Sequence, residues 1–95
     1  MATFLIEHRW DEGRSEEAKS LVSKIVDMAA TGKLPRGYRL LNVVLNKEDR
    51  CAECLWEAPS RSELENLVKS MNPPTIHTLS EAQILYGLDR LTRVA

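Results

Sequence analysis

The sequence predicts an α+β fold, with a four-stranded antiparallel sheet and two helices on one of its faces. Three observations predict it. Several short stretches are rich in β-branched, aromatic and leucine residues. Two longer stretches repeat their apolar residues with the period of a helix. These stretches follow one another as strand, helix, strand, strand, helix, strand. At 95 residues, with 43% apolar and 28% charged, the chain suits one soluble domain over residues 1–95.

The first strand is "TFLIEHRW", Thr3 to Trp10. Side chains alternate along a strand, so Phe4, Ile6, His8 and Trp10 share one side and Thr3, Leu5, Glu7 and Arg9 the other. A helix follows, because Ala18, Leu21, Val22, Ile25, Met28 and Ala29 fall on one stripe. Glu16 and Glu17 suit the positive end of its dipole, and Gly32 with Pro35 stops it. Tyr38 to Leu45 and Cys51 to Glu57 are two strands around the polar break "NKEDR". The break lacks Asn-Gly, so the hairpin loop should exceed two residues.

Ser60 and Glu63 form a capping-box pattern for a second helix, whose buried stripe is Leu64, Leu67, Val68 and Met71. Pro73 and Pro74 end it. "TIHTLSEAQILYGL" is extended again, with Ile84, Leu85 and Tyr86 near its end. "DRLTRVA" is a tail, either a short helical turn or loose. The element order is that of the split βαβ, or ferredoxin-like, plait. The first and third strands are expected at its centre, parallel to each other.

Composition excludes several functions. The formal net charge is -1 and the Lys and Arg residues are scattered, so no basic surface for nucleic acid is expected. No apolar run approaches the roughly 20 residues that cross a bilayer, and the first residues lack a signal-peptide pattern. Two cysteines in that context point to free thiols and a cytoplasmic protein with no membrane partner.

The stretch "CAECLWEAPS" contains C-x-x-C. Cys51 and Cys54 are three apart, so on a strand they point to opposite faces and lie roughly 10 Å apart. A dithiol or a chelate needs both sulfurs on one side. The more apolar set, Ala52, Cys54 and Trp56, is assigned with Phe4 and Ile6 to the helix side. The open face then carries Leu5, Tyr38, Leu40, Val44 and Leu55. An apolar surface of that kind calls for a partner, and two-fold pairing of this face with itself makes a homodimeric α+β barrel. Its lumen or mouth would take a small ligand.

"EHRW" and "CLWEAPS", followed by a helix and a late proline, resemble a family of small proteins of unassigned function with a ferredoxin-like dimeric barrel fold. One branch of that family binds nickel. The resemblance runs from about Phe4 to Ile84. Its specific part is His8 and Arg9 with Cys54, Leu55, Glu57, Ala58, Pro59 and Ser60. It implies a homodimer and a site that includes His8 and Cys54. Members with a metal role carry a further His on the second helix, where this chain has Val68; His77 stands on the last strand instead.

The candidate metal ligands are therefore His8, Cys54 and His77. A soft thiolate with imidazoles suits nickel, copper, zinc or another divalent transition metal. The candidate ligand-binding residues are Trp56, Glu57 and Tyr38, although Trp10 and Trp56 also read as core anchors. Glu53 and Glu57 share a face, four residues and roughly 13 Å apart, and read as rim ion pairs. The expected function is a small homodimeric ligand-binding protein, with a transition metal as one ligand. Its rivals are a cofactor-free monooxygenase- or isomerase-like enzyme on the same barrel and a protein-interaction or regulatory module.

Overall fold

The fold is seen in a computed structural model that describes residues 2–73 and 75–86. Pro74 and the tail "DRLTRVA" lie outside the described residues. The elements run β1 (Ala2–Arg9), α1 (Ser15–Ala30), β2 (Arg39–Asn46), β3 (Cys51–Ala58), α2 (Arg61–Ser70) and β4 (Ile76–Glu81). The sheet order is β2-β3-β1-β4, with every neighbour antiparallel, which is the expected plait.

The expected direction of the central strands is not the observed one. β1 and β3 are central but antiparallel, with Phe4 opposite Trp56 and Ile6 opposite Cys54. The hairpin makes β3 antiparallel to β2. Since β3 is also antiparallel to β1, it is β1 and β2, linked through α1, that run the same way.

Local chemistry sets the element ends. A turn of 3-10 helix, Glu12–Arg14, precedes α1. Glu16 and Glu17 fill the first turn of α1, and Gly32 follows its end at φ +70°, a left-handed conformation that costs glycine little. Gly37, at φ +92°, also needs to lack a side chain: a Cβ there would sit 3.0 Å from Cγ of Pro59. The hairpin loop spans residues 47–50, longer than two, and Asn46 Oδ1 accepts from the Asp49 N–H at 3.1 Å. Ser60 Oγ accepts the Glu63 N–H at 3.2 Å and so caps α2.

The core lies between the helices and one sheet face. Phe4, Ile6, Cys54, Trp56, Ala58 and Leu79 from the sheet meet Leu21 and Ile25 of α1 and Leu64 and Val68 of α2. A smaller cluster joins Trp10, Ala18 and Ala52. The face assignment for β1 and β3 is therefore the observed one.

For β2 it is not. Leu40 pairs with Trp56, but the next pair is Asn42 with Leu55, so Leu41 is an extra residue in a bulge. One extra residue inverts the alternation that follows it. Leu40, Val43 and Leu45 all face the helices, and Tyr38 packs there too. Tyr38 and Leu40 were expected on the open face and are not there; Val44 is, 53% exposed.

β4 also stops early. Ile84, Leu85 and Tyr86 follow the strand instead of ending it. Glu81 pairs with Phe4, and just past the end of β4 the Ala82 N–H reaches Thr3 O at 2.9 Å.

Candidate functional site

The one buried polar residue among the described residues is His8, 2% exposed, near the end of β1 on the helix side. Register places His77 of β4 directly opposite it. The ring centroids are 5.9 Å apart and the planes are inclined by 48°. His8 Nδ1 lies 3.1 Å from Thr75 Oγ1, and His77 Nε2 lies 3.0 Å from Glu65 Oε1 of α2. Lys69, one turn further along α2, approaches the same carboxylate at 3.9 Å.

Burial, helped by the neighbouring His77, holds the His8 pKa down at about 4. At neutral pH it is thus an uncharged imidazole, with one nitrogen a donor and the other an acceptor. Such a group can orient a hydroxyl, and Thr75 is the hydroxyl it meets.

Cys54 shares that side of the sheet. It is fully buried among Phe4, Ile6 and Leu64, and burial pushes its thiol up to about 11. It is therefore a protonated apolar side chain at neutral pH, unlike the exposed low-pKa thiolates that bind metals or react. Cys51 projects to the other face, across from Arg9, and both cysteines are free. Among the described residues no three His, Cys, Asp or Glu side chains are placed to share an ion. His8 and His77 are brought together; Cys54 does not complete a set with them.

The second group of candidates is split by the sheet. Trp56 is a core residue, 1% exposed, whose indole N–H meets no acceptor among the described residues. Tyr38 is half-buried beside that core, and partial burial with Glu63 nearby raises the phenol pKa. Glu57 lies on the opposite face and pairs with Arg39 of β2 at 2.9 Å.

Sequence reasoning missed Thr75 and Glu65. Glu65 follows Leu64 on the edge of the apolar stripe of α2, a position that reaches the sheet only because α2 lies across β4. Thr75 precedes β4, and no local pattern distinguishes it from other threonines.

At the end of the sheet near this cluster is a pocket of about 210 Å³ with Arg9, Trp10, Arg14, Thr75 and Ile76 in its wall. A shallower groove of about 750 Å³ along α1 is lined by Glu16, Lys19, Ser23, Lys24 and Asp27, a solvated helix flank. No helix among the described residues is long and apolar enough to cross a membrane. Comparison with protein-family models, with curated proteins and with solved structures finds no match to this chain.

Proposed function

We propose that this chain is a homodimeric binding protein: two copies pair their open sheet faces into an α+β barrel and hold a small organic ligand. One observation carries this reading. Leu5, Leu55 and Val44 lie on three adjacent strands, on the face that neither helix covers. Leu5 and Leu55 are direct cross-strand partners. Both helices are already used on the other face.

Charge favours a second copy as the partner. The open face carries Glu7, Glu53 and Glu57 together with Arg9 and Arg39. A two-fold operation can set the arginines of one copy against the carboxylates of the other, so the surface is able to complement itself. A chain this short also gains from added burial, because its own core is small. An ion is the less favoured ligand, since Cys54 is a buried neutral thiol that pairs across the sheet with Ile6 and not with His8.

Sedimentation equilibrium tests the reading. The wild-type chain should sediment at twice its 10.8 kDa mass. Leu55→Glu should sediment as a single chain with unchanged circular dichroism. A wild-type chain that stays monomeric at tens of micromolar sinks the proposal. Nickel, copper and zinc, added while the thermal midpoint is followed, decide between ligand types. A rise abolished in His77→Ala would replace the organic ligand with a metal ion.

A further inference from the structure

The pocket at the end of the sheet borders the open face, with which it shares Arg9, and it has a chemistry of its own. It forms where β1 stops and β4 begins, and the 3-10 turn closes it. Two arginines, Arg9 and Arg14, and one aspartate, Asp11, are among the residues that line it. We propose that this pocket binds a small organic monocarboxylate, with the carboxylate held by Arg9, Arg14 and the Thr75 hydroxyl and the apolar body set against Trp10 and Ile76.

The arginines are poised and not consumed. Arg9 pairs with Glu7 at 2.8 Å and Arg14 with Glu17 at 2.9 Å. Both pairs are exposed, a setting in which ion pairs are weak. They orient the guanidinium groups while leaving N–H donors that match the planar fork of a carboxylate. Thr75 supplies a third donor. Its oxygen lies 3.1 Å from Nδ1 of buried His8. With the His8 proton on Nδ1, that N–H donates to Thr75 Oγ1, and the Thr75 O–H is free to donate to the ligand.

The apolar walls fit the rest of such a molecule. Trp10 is 8% exposed, and its Nε1–H donates to Ser15 Oγ at 3.2 Å, so the indole is held in place before any ligand arrives. Ile76 is 79% exposed, an apolar side chain with little protein contact of its own. The volume equals that of about seven waters, enough for a molecule of benzoate size. Three carboxylates surround the two guanidinium groups, Asp11 in the wall and Glu7 and Glu17 in the ion pairs, so a monoanion is accommodated more readily than a dianion.

Nitrogen–proton spectra of the full chain titrated with sodium benzoate test this. Benzoate should shift the Trp10 indole signal and the Thr75 and Ile76 amides, and leave the Trp56 indole unmoved. Arg14→Gln and Arg9→Gln should each weaken binding at least about fivefold, the loss of one charge-assisted hydrogen bond. Both residues are surface groups, and each variant is used once its spectrum matches wild type. Benzamide, of the same shape without the charge, should bind at least about tenfold more weakly. The proposal is overturned if benzamide binds as well as benzoate, if both variants bind like wild type, or if inorganic phosphate shifts the same residues at lower concentration.

Discussion

The two faces of this sheet are made by the same strands and do different work. On the covered face, Phe4, Ile6, Ala52, Cys54, Trp56, Ala58 and Leu79 are all buried. The one buried polar side chain among the described residues, His8, also lies there and is kept neutral. On the open face, leucines alternate with carboxylates and arginines, and the pairs Arg9–Glu7 and Arg39–Glu57 sit among them. Apolar side chains on the first face hold the chain folded. Chemically similar ones on the second are available to another copy. The difference teaches that residue type does not assign a role in this chain; the face does.

Neighbours on β1 give the sharpest way to break that comparison. Ile6 is fully buried, so Ile6→Ala should cost about 4 kcal/mol in urea unfolding. Leu5→Ala, measured on the dissociated chain, should cost under about 1 kcal/mol. Equal losses would mean that the two faces do not differ as described.

The polar member of the covered face should make stability depend on pH. An ordinary His titrates near 6.5, whereas folded His8 titrates near 4. Between those values the unfolded chain binds the extra proton, so stability falls as the pH falls. The contribution is fully present above pH 6.5 and is lost as the pH drops toward 4, about 3 kcal/mol in all. Urea midpoints at pH 7, 5.5 and 4 measure it, and His8→Leu should flatten the slope over this window. A slope that persists unchanged in the variant would assign it to other groups.

Smaller effects complete the series. Ser60→Ala removes the cap of α2, the helix whose Leu64 and Val68 seal the covered face, and should cost about 1 kcal/mol. Glu57→Gln breaks the open-face pair with Arg39 and should cost at most about 0.5 kcal/mol. A larger loss from Glu57→Gln than from Ser60→Ala would show that the open-face charges stabilise the folded chain and are more than an interaction surface.

Much of this was legible before any coordinates. Strict alternation in "TFLIEHRW" and "CAECLWEA" assigns sides to every residue, and it separates Cys51 from Cys54. The helical stripes were equally plain, because Leu21, Ile25, Leu64 and Val68 recur at the helical period. Leu41 was not legible. A bulge inserts one residue without any marker in "YRLLNVVL", and strict alternation therefore sets Tyr38 and Leu40 on the face of Val44, opposite to the one they occupy. The end of β4 was hidden for a related reason, since it depends on pairing with β1, some seventy residues earlier in the chain.

The candidate site was half legible. His8 and His77 could be named, but Thr75 and Glu65 could not, and neither could the pocket shared by Arg9, Arg14 and Ile76. Side-chain periodicity, capping and turn chemistry are local, so the amino-acid sequence by itself determined the elements and, through alternation, the inner and outer faces of β1 and β3. Register, the bulge and the meeting of His8 with His77 are relations between distant segments. Only the tertiary structure decided them, because hydrogen-bond pairing and helix packing across the whole sheet select one register among several that the local patterns allow.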